Sequence, residues 1–202
     1  MTEPMTMLTD YVLGILAFAF GYAILRKNRI DGQISRSLWA YAFLSLSLST
    51  LVGGTYHGFQ WQESFGDFLW KITSLSMGLT SLFMTASIVC ANCTGKTRRD
   101  WLVIVGIKFL LFAGLAMTSD DFLLVIADYG SAMLVILVIA LIQTFRKARP
   151  EAPWLATGVG VSLIAAGVQA SGISLHEHFN HNDVFHLIQI PALYLFLRGG
   201  LL

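Results

Sequence analysis

All five histidines of this sequence fall in two short stretches, each also carrying carboxylates. "GGTYHGFQWQESFGD", residues 53–67, holds His57, Glu63 and Asp67 among four aromatic residues. "LHEHFNHNDVFH", residues 175–186, holds His176, His178, His181, Asp183 and His186. Imidazoles and carboxylates in such company serve either as acid–base pairs or as ligands of a metal such as zinc. His57 and His186 lie within about one helical turn of an apolar run, where an ionisable ring is costly without a partner and is a functional candidate by default. His176 and His178 read more simply as solvated loop residues. If a helix begins near Asn182, that residue (i, i+4) and Asp183 (i, i+3) share a face with His186. Asn182 is equally suited to cap that helix, with Asp183 favoured by its dipole. Pro191, lacking an N–H for the carbonyl of Leu187, should kink it.

The elements that position these residues follow from composition. Of 202 residues 55% are hydrophobic and 12% charged, about half the charged fraction of a soluble domain. Apolar runs of roughly 20 residues, the length that crosses a hydrocarbon core, recur at about 8–25, 37–59, 68–91, 101–118, 121–145, 154–174 and 184–202. Only helices satisfy their backbone in lipid at such lengths. The expected fold is therefore all-α: a polytopic membrane protein, one seven-helix transmembrane domain over residues 1–202. "MTEPMTMLTD" has neither a basic n-region nor a small-residue cleavage site, so the first run reads as a retained helix. Membrane lipids are the expected surroundings, and no nucleic-acid partner is expected.

Basic residues alternate between loops. Arg26, Lys27, Arg29 and Arg36 flank the first, Lys96, Arg98 and Arg99 the third, and Arg146, Lys147 and Arg149 the fifth. The second, fourth and sixth carry Glu63 and Asp67, Asp120 and Asp121, and Glu177 and Asp183, with Lys71 the exception. The positive-inside rule then gives an N-out, C-in topology. It places every histidine on the outer, periplasmic or lumenal side of a bacterial inner membrane or its equivalent. Lys108 and Asp128 fall at similar depth on consecutive antiparallel helices, and a buried ion pair is the economical expectation. Cys90 and Cys93 form a lone C-x-x-C, read as two ordinary thiols.

Seven helices, a histidine ending helix 2, an aspartate about ten residues later and a polar-x-x-x-His opening helix 7 resemble the CREST superfamily of membrane hydrolases. That group includes the alkaline ceramidases and the progestin and adiponectin receptors. Its motifs are S-x-x-x-H in helix 2, Asp at helix 3 and H-x-x-x-H in helix 7. The resemblance implies zinc held at His57 and His186, with Asp67 activating the bound water. The sequence departs at Gly53, where the family has serine, and at Asn182, where it has a histidine ligand. A third ligand is then needed: Asp183, or His178 or His181 from the loop. An acidic N-terminal cluster like that of the ceramidases is not apparent, with only Glu3 and Asp10 nearby.

The expected activity is zinc-dependent hydrolysis of a lipid amide or ester that enters from the outer leaflet. The alternative is a non-enzymatic membrane protein on the same scaffold, binding or sensing a lipid or a metal. Haem held between His57 and His186 and transport are further possibilities.

Overall fold

A computed structural model describes residues 2–174, 176 and 179–202. Seven helices account for nearly all of them: α1 (Pro4–Asp31), α2 (Ile34–Gly58), α3 (Glu63–Asn92), α4 (Gly95–Thr118), α5 (Phe122–Phe145), α6 (Ala152–Ser171) and α7 (His181–Leu201). Each is long and apolar enough to cross a membrane, which makes the chain a multi-pass integral membrane protein of all-α class. Several helices outrun the apolar stretches seen in the sequence. α1 begins at Pro4, whose missing N–H costs nothing in the first turn, and ends at Gly32 in the left-handed conformation (φ 64°).

Packing follows a ring. α1 lies against α2 and α7, α2 against α3, α3 against α5, α5 against α6, and α6 against α7. α4 sits outside this ring, mostly on α3. Its few buried residues are Val105, Phe112 and Ala116. Phe112 lies where a Cβ on Gly78 would come within 2.3 Å of its ring, so α3 accepts the phenyl only because residue 78 is glycine.

The central core joins Leu13, Ala17 and Ile24 of α1, Trp39 and Phe43 of α2, Met84 of α3, Ile136 of α5, Val159 of α6 and Phe196 of α7. Other large side chains, such as Leu110, Leu111, Leu123 and Val138, point outward, as lipid-facing positions must where the solvent is itself apolar.

The expected pairing of Lys108 with Asp128 is present. Lys108 Nζ lies 2.8 Å from Asp128 Oδ1 and also donates to Ser81 Oγ and to the Asp128 carbonyl, both at 2.9 Å. Asp128 is 6% exposed and Lys108 35%. The pair thus ties peripheral α4 to α3 and α5 at mid-helix. Cys90 and Cys93 are free thiols.

Two expectations about α7 need correction. The helix starts at His181, so His181 is its first residue and not part of the preceding loop. Its cap is Asn180, not Asn182: the Asn180 side chain accepts from Asn182 N, while Asp183 Oδ2 accepts from Asn180 N at 2.7 Å. This reciprocal capping box satisfies two otherwise orphaned donors. Asn182 instead accepts from Gln169 Nε2 at 3.1 Å, joining α7 to α6. α7 continues as helix through Pro191.

Candidate functional site

The start of α1, the end of α2 and the start of α7 meet at one end of the bundle, and five ionisable side chains collect there. α1 supplies Asp10, and Glu3 stands just before the helix, at its N-cap. Thr6, one turn before Asp10, and Thr9 are buried with it. α2 supplies His57. Its carbonyl accepts from Glu3 N at 3.1 Å and from the Thr2 hydroxyl, so the N-terminal segment is fastened over the end of α2. α7 supplies Asp183 and His186.

Close approach of α1 to α2 depends on Gly54. A Cβ there would lie 2.8 Å from Asp10 Cβ and 3.1 Å from the Met7 carbonyl. Gly53, the position at which the resemblance leads one to expect serine, faces α3 instead, its Cβ direction meeting Thr73 at 3.3 Å.

His186 is gripped at both ring nitrogens. Nδ1 lies 2.9 Å from Thr9 Oγ1 and Nε2 lies 3.3 Å from Asp10 Oδ1. The Thr9 hydroxyl also reaches the Thr6 carbonyl at 3.1 Å. With the hydroxyl hydrogen on that carbonyl, Nδ1–H donates to Thr9 and the Nε2 lone pair faces a carboxylate oxygen. Two acceptors so opposed need a proton or a metal ion between them. His57 Nδ1 likewise stands 3.3 Å from Glu3 Oε2, and that oxygen has no hydrogen-bond partner.

Glu3 and Asp183 are within electrostatic reach of Asp10, and His57 is within reach of His186. Asp183 is fully buried at 0% exposure, and its Oδ1 has no hydrogen-bond partner among the described residues. Among the described residues, no lysine or arginine pairs with any of these three carboxylates.

The expected ligands are thus partly assembled. His57, His186 and Asp183 come to one end of the bundle. His181 stands at the same helix start, its Nδ1 buried without a hydrogen-bond partner among the described residues. His178 lies outside the described residues. Asp67, on the second turn of α3, is exposed, and no hydrogen bond or ion pair joins it to His57 or His186. The stretch around it is chiefly an aromatic girdle. Tyr56 meets Trp70 at 5.3 Å, Trp61 meets Phe65 at 5.1 Å and Trp70 meets Phe122 at 5.6 Å, the kind of belt that seats a helix end at the membrane–water interface.

Donor chemistry here suits zinc, which takes imidazole and carboxylate ligands. Two ligand atoms on one tetrahedral zinc, each about 2.0–2.1 Å from it, lie roughly 3.3 Å apart. The His186–Asp10 and His57–Glu3 pairs each have that spacing. A catalytic zinc needs three protein ligands and an open position, and among the described residues no three such side chains converge on one point. The arrangement does not fit a preformed catalytic zinc centre.

Glu3 and Asp10 are the members that reasoning from the sequence passed over. A signal was available: an aspartate inside the first apolar run, spaced i, i+4 from Thr6 and i, i+7 from Glu3, marks one polar stripe on a membrane helix.

No curated protein and no solved structure matches the chain. Residues 5–202 match a family described only as a family of unknown function (DUF6962), and this seven-helix protein belongs to it.

Proposed function

We propose that this is a non-enzymatic seven-helix membrane protein that binds a divalent metal ion, zinc by donor type, at the α1/α2/α7 end of the bundle. The carrying observation is Asp183: wholly buried beside a second buried carboxylate, with its Oδ1 unpartnered and no lysine or arginine paired to either carboxylate among the described residues. Uncompensated negative charge at such a place is expensive, and a bound cation removes the expense. Asp10 and His186 stand at the spacing of two ligands on one ion, and Asp183, His57 or Glu3 must shift toward them to complete the set, since among the described residues no three converge as they stand. Burial favours binding over catalysis, because Thr9, Asp10 and Asp183 are 7%, 5% and 0% exposed, leaving a substrate little approach. By the alternation of basic loops, this end faces the outer side.

Purified protein titrated with zinc should take up one ion per chain by calorimetry and elemental analysis, and Asp183→Asn should abolish uptake. No uptake by the wild-type protein would refute the proposal.

Hydrolysis of a lipid amide or ester from the outer leaflet is the second reading. It is favoured by the gathering of His57 and His186 at one end, as the resemblance to the CREST hydrolases implies. It assigns water activation to Asp67. Asp67→Asn should then eliminate lipid amide hydrolysis while metal content stays unchanged, whereas the binding reading expects no such hydrolysis in either protein.

A further inference from the structure

The acidic cluster is not uniform in depth. Glu3 and His57 lie at its mouth, 44% and 30% exposed, with Glu3 Oε2 3.3 Å from His57 Nδ1. Asp10 and His186 lie deeper, 8% and 12% exposed, with the same 3.3 Å between Oδ1 and Nε2. From Glu3 at the N-cap, Asp10 is two turns into α1, roughly 10 Å along the axis at about 1.5 Å per residue. Two carboxylate–imidazole pairs, each at the spacing of two ligands on one ion, thus stand one behind the other. The outer is hydrated and the inner is dry.

Thr6 joins them. It falls between Glu3 and Asp10 in the chain, one turn before Asp10 and on the same face of α1. It is only 2% exposed, yet its Oγ1 has no hydrogen-bond partner among the described residues. A buried hydroxyl left so is costly. Other threonines of this bundle avoid that cost: Thr50, Thr55, Thr73, Thr80 and Thr85 each donate to the carbonyl four residues earlier. Glu3 Oε2, Thr6 Oγ1 and Asp183 Oδ1 are all buried oxygens without such a partner, and all belong to this end of the molecule. Their lone pairs suit a cation as those of water do.

Passage from the side, between α1 and α2, is shut. A Cβ on Gly58 would collide with the Met7 side chain and one on Gly54 with Asp10, so the two helices already touch there. The exposed pair at the end of the bundle is the approach that is left.

We infer that Glu3 and His57 form the entry station of the metal site, capturing a divalent cation that then passes Thr6 to reach the buried Asp10–His186 pair, where Asp183 completes the set. This rests on the reading of the cluster as a metal site. At the half-exposed pair the ion keeps part of its water. Each step inward exchanges a water for a protein oxygen, so desolvation is divided into small steps instead of one large one.

The test mixes zinc rapidly with the full chain in detergent and times association and release with a chromophoric zinc indicator. Glu3→Gln and His57→Gln should each slow association about tenfold, the lower end of what a charged mouth adds to an on-rate. Release should slow with it, so that affinity moves less than either rate. Thr6→Val removes neither a charge nor a side-chain hydrogen bond and so keeps the fold; it too should slow both rates. Faster release with unchanged association would make Glu3 and His57 ordinary ligands of a single site and overturn the inference. Slower association without slower release, the mark of charge attraction alone, would overturn it too, as would wild-type rates in all three variants. If the wild-type protein takes up no zinc at all, the metal reading itself fails and carries the inference with it, an outcome distinct from uptake that the variants do not alter.

Discussion

Buried charge at two places in this bundle is handled differently. Between α4 and α5, Asp128 meets Lys108 at 2.8 Å, with Ser81 and a backbone carbonyl taking further ammonium protons. At the α1/α2/α7 end, Asp10 and Asp183 are buried beside imidazoles, with no ammonium or guanidinium group paired to them among the described residues. A paired charge is a fastener. It holds peripheral α4, which has little other buried surface, on the ring. An unpaired acidic cluster is a poor fastener and a good binding site, because what it lacks is what a ligand brings. The contrast argues that the first pair serves the fold and the second cluster serves function.

That distinction breaks most readily at Lys108. Lys108→Met leaves Asp128 without its partner and should cost on the order of 3 kcal/mol, as removal of one member of a buried pair does. Thermal unfolding in detergent reads the loss. Adding Asp128→Leu should recover most of it, since replacing both charges is far cheaper than orphaning one; no recovery would show that the pair does more than neutralise itself. Next in size is Gly54→Ala, which forces a methyl against Asp10 Cβ and the Met7 carbonyl. Overpacking of this kind costs about 1–3 kcal/mol, and zinc uptake should fall with stability because α1 carries Asp10. Asp183→Asn should have the smallest effect, under about 1 kcal/mol, since the amide oxygen still accepts from Asn180 N and the uncompensated charge is gone. It should nonetheless remove zinc binding. If Asp183→Asn unfolds the protein as far as Lys108→Met does, the acidic cluster is a fastener too, and the comparison collapses.

Legibility from sequence also differs between the two places. Lys108 and Asp128 lie on consecutive helices joined by a short loop, so counting residues from that loop places them at one depth. The acidic cluster draws on residues 3–10, 57 and 183–186, and no local count relates these. His57 and His186 stood out because histidine is rare beside apolar runs. Asp10 figures in the sequence only as one of two acidic residues too few to make a ceramidase-like N-terminal cluster, although it is the side chain that meets His186. Asp67 stood out by its spacing from His57, yet spacing along a chain says nothing about which face of α3 it occupies, and that face is exposed. Asn182 had the chemistry of a cap, but the helix begins one residue earlier, and Asn180 takes that role.

Seven membrane helices follow from the sequence alone, because the length and apolarity of each run are local properties set by the thickness of a hydrocarbon core. The mid-membrane ion pair follows for a related reason: two opposite charges at one depth in lipid are far cheaper together. That α1 closes the ring between α2 and α7, with Asp10 against His186, is visible only once the helices are packed. That contact spans most of the chain and is set by how glycines such as Gly54 let helices approach, a matter of shape that no single stretch of sequence contains.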